Sequence, residues 1–87
     1  MTKIERLKGE ILDLKNDINH RSTLRIHSIL NSNSKLFSET LDPDYFQMIL
    51  KNFEGLSNMS LKDSTSSHYK DEYKKNFENL SFHLNRI

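Results

Sequence analysis

The sequence predicts an all-α fold, a small helical bundle in one domain spanning residues 1–87, and three observations carry that reading. Apolar residues recur at heptad spacing through the first eighteen positions, as Ile4, Leu7, Ile11, Leu14 and Ile18. A full set of helix-boundary residues brackets the middle of the chain, with Asp42, Pro43 and Asp44 at one end and Gly55 at the other. Helical spacing then returns near the C-terminus, where Tyr69, Tyr73, Phe77, Leu80, Leu84 and Ile87 line one face.

The first element is expected to be one long helix over about residues 2–31, because Ile26 and Ile29 fall on the same arc as the five N-terminal seam residues. At 1.5 Å per residue it would be about 45 Å long, more than a core this small can cover. Leu12 and Leu30 form a second, sparser stripe round the same helix. Its weak points are Gly9 and the pair Ser22-Thr23, with a kink expected near 20–23. The run Asn31-Ser32-Asn33-Ser34 ends it, since Ser and Asn divert backbone hydrogen bonds to their own side chains, and Leu36, Phe37 and Leu41 are expected to fold back over it.

A short helix over 43–54 follows. Asp42 is its N-cap, Pro43 takes the first helical position, where no N–H is needed, and Asp44 sits beside the positive helix end. Tyr45, Phe46, Ile49, Leu50 and Phe53 share its broad apolar face, and Gly55 is expected to stop it. Residues 57–67 hold five Ser, one Thr and one Asn and read as a linker, with Met59 and Leu61 as anchors. The last helix, over about 67–86, starts at a cap supplied by Ser66 or Ser67, with Asp71 and Glu72 near its positive end.

Composition narrows the function classes. An 87-residue chain with no cysteine has no disulfide to support a marginal core, and only 34% of its residues are apolar. Ser and Asn together supply 20 positions. Self-association or docking on a partner would recover the missing burial, and a homodimer or higher oligomer through Ile4, Leu7, Ile11, Leu14 and Ile18 is expected. Isoleucine at the first seam position and leucine at the second is the pattern that favours two parallel strands. Thirteen basic against twelve acidic residues give a net charge of +1, which argues against a dedicated nucleic-acid binder. The longest apolar run is Met48-Ile49-Leu50, so a soluble, cytoplasmic protein away from membranes is expected. The absence of Ala and Val beside abundant Lys, Asn and Ile matches AT-rich coding, as in phages and plasmids.

No catalytic residue, cofactor site or metal site is read from the sequence. His68 and Glu72 lie one helical turn apart with Asp71 beside them, but no second His or Cys cluster completes a metal's ligand set. His20 and His27 are expected to rim the long seam, and the neighbouring Glu10 and Asp13 show no sign of the burial that prepares a carboxyl for acid–base work. With two glycines the chain has no phosphate-cradling loop, and its serines sit in no nucleophile elbow.

The segment from Asp17 to Arg25 resembles the start of a helix-turn-helix recognition helix through its Arg21-Ser22-Thr23-Leu24 run. His27 and Ser28 stand where that motif wants apolar residues, and the bend lacks the usual glycine. The resemblance implies a small DNA-binding regulator with a degenerate motif over residues 17–28, using Arg21 and Arg25 on phosphate. The leading expectation is instead a non-catalytic protein that occupies another protein's surface, as an inhibitor, an immunity or anti-defence factor, or an adaptor. Phe82 points away from the apolar stripe of the last helix, with Lys75, Asn79 and Arg86 as its polar rim. Leu12 and Leu30 are the second candidate surface.

Overall fold

Each helix of the computed structural model begins at a side chain that accepts a backbone N–H or follows directly on the helix before it. Thr2 Oγ1 accepts from Glu5 N–H at 3.3 Å, Asn19 Oδ1 from Ser22 N–H at 2.8 Å, Asp42 Oδ2 from Tyr45 N–H at 2.9 Å and Ser66 Oγ from Tyr69 N–H at 3.1 Å. These caps open α1 (Lys3–Leu12), α2 (His20–Ser32), α4 (Pro43–Ser57) and α5 (Ser67–Leu84), while α3 (Ser34–Thr40) follows α2 across Asn33 alone. The structure describes residues 2–59 and 66–87, all helix or short connection. Residues 60–65, the middle of the expected linker with its anchor Leu61, lie outside the described residues.

The all-α bundle is as the apolar spacing predicts, and the long first helix is where the chain departs from it. Residues 13–19 leave the helical path, so the expected helix over 2–31 becomes α1 and α2, folded back on one another. Arg25 meets Glu10 across 3.9 Å, and Lys3 shares a surface hollow with Ser32 and Lys35, which makes the pair antiparallel. The break falls before the expected kink at 20–23, because Asn19 caps a new helix and Ser22 and Thr23 face the interior. A straight rod would have exposed half of its apolar arc, whereas folding it back encloses Leu7, Ile11, Ile26 and Ile29 together.

α4 runs antiparallel to α2, with His20 Nε2 donating to the Ser57 carbonyl oxygen at 3.0 Å where the two helices end and begin. His20 thus ties two helix ends together instead of rimming a long seam. α4 also continues through Gly55 to Ser57, past the expected stop, and Asn58 closes it by donating to Glu54 O at 3.0 Å. Gly55 lies within the helix because its backbone keeps helical angles; no described residue has positive φ. α5 returns antiparallel to α4: Tyr45 meets Asn79, Asn52 meets Asn76 and Phe53 packs edge-on against Tyr73.

Among the described residues, the core is one continuous cluster of sixteen apolar side chains contributed by all five helices and Leu41. Aromatic rings fill the space that small residues would fill elsewhere, with Phe37 stacked on Phe46 at 5.9 Å and Tyr73 on Phe77 at 5.9 Å. Tyr45, Leu50 and Met59 pack against it half-buried. Every buried side-chain nitrogen or oxygen among the described residues has a hydrogen-bond partner. A radius of gyration of 12.3 Å agrees with the roughly 12 Å expected of a folded chain this long. The core the composition left in doubt is therefore assembled within a single chain.

Candidate functional site

The outer end of α5 carries the most exposed large apolar side chain among the described residues, Phe82, at 60%. It stands there because α5 buries Tyr69, Tyr73, Phe77, Leu80 and Leu84 on one face, and Phe82 falls about half a turn away. The Arg86 guanidinium carbon lies 5.5 Å from the Phe82 ring centroid, a cation–π contact, and His83 meets the same ring edge-on at 5.5 Å. His83 in turn stacks on Tyr45 of α4, with centroids 3.7 Å apart and planes 18° from parallel. One strip of four side chains, Arg86, Phe82, His83 and Tyr45, thereby crosses from α5 to α4.

Asn79 holds the inner end of that strip. Its Oδ1 accepts from the Tyr45 hydroxyl at 2.6 Å and its carbonyl oxygen accepts from His83 Nδ1 at 2.9 Å. Burial pushes the Tyr45 hydroxyl up to about 12, so it remains a protonated donor throughout the neutral range. Lys75 lies one turn back on α5, exposed, beside a groove between α4 and α5 that Asn52, Gly55, Met59, His68 and Glu72 also line. Phe82, Arg86 and Lys75 are solvent-facing, while Asn79 spends its side chain on Tyr45. The sequence did not single out Tyr45 or His83 as part of this face; the one signal was Tyr45 at the edge of the α4 apolar arc.

The other candidates separate. Leu30 is fully enclosed in the core, so it cannot touch a partner, and its stripe leaves only half-buried Leu12 beside Ile4, Gly9 and Ile87. Of the expected self-association residues, Leu7 and Ile11 are buried inside the chain, and Ile4, Leu14 and Ile18 pack half-buried against the same core. Arg21 and Arg25 are exposed on the first turns of α2, beside an open cleft of about 660 Å³ that Leu14, Asp17, Asn19, Ser22 and Leu24 complete. Ser22 and Thr23 face inward while Leu24 is 47% exposed, the reverse of the burial a recognition helix needs for its aliphatic residue.

A second polar cluster joins α5 to the connection between α1 and α2. The Tyr69 hydroxyl pairs with Thr23 Oγ1 and lies 3.3 Å from the Asn19 carbonyl oxygen, and the Tyr73 hydroxyl donates to the Leu14 carbonyl oxygen at 2.9 Å. Burial raises both tyrosines above their ordinary value; the hydrogen bond to Thr23 partly offsets this at Tyr69, and neighbouring Tyr69 and Asp17 add to it at Tyr73. Both hydroxyls are therefore fixed, neutral donors.

Among the described residues, no group of three or more His, Cys, Asp or Glu side chains is placed to hold a metal ion, and His68 and Glu72 stand only along the α4–α5 groove. No described helix is long and apolar enough to cross a membrane. No protein-family model matches the chain, and no curated protein or solved structure matches it either.

Proposed function

We propose that the chain is a non-catalytic protein-binding module that presents the end of α5 to another protein, in the manner of a small inhibitor, an immunity or anti-defence factor, or an adaptor. The observation that carries this reading is Phe82, 60% exposed yet held between Arg86 and His83. An aromatic ring already restrained loses little freedom on being covered, and aromatic and arginine side chains dominate the energy of protein interfaces. Arg86 on one side and Glu78 one turn back give the ring a polar rim of both signs.

The test is Phe82→Ala, compared with wild type in capture of proteins from cells of the source and in thermal unfolding. Loss of a captured protein, with a melting temperature within about 2 °C of wild type, is the expected result. Equal capture by both would return Phe82 to the status of an ordinary exposed residue. A parallel titration on duplex DNA checks the regulator reading, which requires binding at low salt that falls steeply as salt rises and weakens in Arg21→Ala and Arg25→Ala.

A further inference from the structure

The connection between α1 and α2 breaks a helix that the sequence continues. Ile4, Leu7, Ile11, Leu14, Ile18, Ile26 and Ile29 share one arc if residues 3–32 are placed on a single helix, and the connection contains neither glycine nor proline. Its first residues still turn in helix-like steps before the chain leaves the helical path. Asp13 N–H reaches Gly9 O at 3.0 Å, and Leu14, Lys15 and Asp17 donate to carbonyl oxygens three residues back at 3.0 to 3.2 Å. The cap residue Asn19, at φ −154° and ψ 170°, is the point where the chain becomes fully extended. Two hydroxyls from α5, those of Tyr73 on Leu14 O and Tyr69 on Asn19 O, hold this bend closed from outside.

The register of the α1–α2 pair supplies the second half of the inference. Glu10 faces Arg25, a pair whose midpoint falls between Asp17 and Ile18, and the start of α1 at Lys3 lines a hollow with the end of α2 at Ser32 and with α3. Two straightened chains laid antiparallel about that midpoint recreate every such pairing between copies. Leu14 and Ile18, only half-buried in the single chain, fall next to the axis, where a second copy would cover them.

We propose that the 13–19 connection is a hinge across which two copies of this chain exchange α1, with α1 and α2 straightening into one helix that pairs antiparallel with its counterpart. Each α1 then rests on the other copy's core through Leu7 and Ile11, so the buried contacts are kept and the hinge surface is gained. The occupant of the α1 site is a second copy because the seam and the Glu10–Arg25 pair are complementary to themselves under this symmetry. This concerns a different face from Phe82 and is tested without any partner protein.

The experiment compares two double variants at the exposed hinge positions, Asn16→Ala with Asp17→Ala and Asn16→Gly with Asp17→Gly. Neither removes a buried contact, but alanine favours the straight helix and glycine opposes it. Sedimentation across roughly micromolar to millimolar concentrations should give the alanine pair a dimerisation constant about a hundredfold or more above that of the glycine pair, with wild type between them. Tyr73→Phe, which opens one latch, should also raise it. Since the chain lacks cysteine, spin labels at Lys3→Cys and Asn31→Cys report on one chain diluted into unlabelled protein. The labels are close in the folded-back form and should move to about 42 Å apart in the dimer, beyond the 36 Å longest dimension of the single chain. Equal constants for the two pairs, no dimer in any variant, or a dimer in which the labels stay close would each overturn the proposal.

Discussion

α4 and the α1–α2 pair are both amphipathic, yet α4 starts where its own residues announce, while the break between α1 and α2 falls where the apolar spacing continues. The start of α4 is decided within four residues: Asp42 accepts from Tyr45 N–H, and Pro43 fills a position that has no hydrogen bond to lose. The end of α1 is tied to residues about sixty positions away, where the Tyr73 hydroxyl holds the Leu14 carbonyl oxygen that a continuing helix would use for itself, and the Tyr69 hydroxyl reaches the Asn19 carbonyl oxygen that opens α2. The difference teaches that capping residues mark a boundary reliably when they act alone, while a boundary imposed by packing leaves the local periodicity intact.

The largest test of that contrast lies on the α4 side. Phe53 is fully buried and packs edge-on against Tyr73, the residue that latches the hinge. Phe53→Ala should lose about 3–5 kcal/mol in denaturant unfolding, and it should loosen the α1–α2 bend as well, seen as faster amide exchange at residues 13–19. If exchange there is unchanged, the two regions are mechanically separate and the latch does not depend on the α4 core.

A smaller effect separates the two caps. Asp42→Ala should cost about 1 kcal/mol, measured by thermal unfolding, with no change in assembly. Asn19→Ala should cost a similar amount in dilute solution, but it also removes the cap that defines the break, so it should increase dimer at high concentration. Equal behaviour of both variants at every concentration would make the two boundaries alike and erase the distinction.

The smallest effect comes from the glycines. A Cβ at Gly9 or Gly55 would meet nothing within 4 Å, and both residues sit inside helices at ordinary negative φ. Gly9→Ala and Gly55→Ala should therefore each stabilise by about 0.5–1 kcal/mol, read as a modest rise in melting temperature. A fall at Gly55 alone would indicate that the α4–α5 groove needs room that the described side chains do not occupy.

Much of the fold was legible in the sequence because its signals are local. The Asp42-Pro43 start, the Ser66 cap and the Tyr69 to Leu84 stripe all lie within one or two helical turns of what they determine. The bend at 13–19 was only half legible. Asn19 followed three residues later by Ser22 is an N-cap arrangement, but an unbroken heptad from Ile4 to Ile18 outweighs it when no neighbour is in view. α3 was hidden for a related reason: only Phe37 within it is buried, and one residue has no period. At the candidate site, the outward angle of Phe82 follows from the helix alone, whereas the stacking of His83 on Tyr45 depends on the register of α5 against α4, which spacing within either helix does not encode.

The passage from α2 to α4 is held by Phe37 and Leu41, with Leu36 half-buried beside them, while Ser34, Lys35, Glu39 and Thr40 stand in solvent. Its anchorage is apolar and one-sided, since Phe37 lies flat against Phe46 and Leu36 and Leu41 turn toward the same core. The chain consequently owns a replaceable strap. A foreign epitope or a fluorophore attachment point placed at Lys35 or Glu39 would ride on the molecule without altering either the aromatic strip of α5 or the bend at the opposite end of α2, giving a handle through which both can be watched at once.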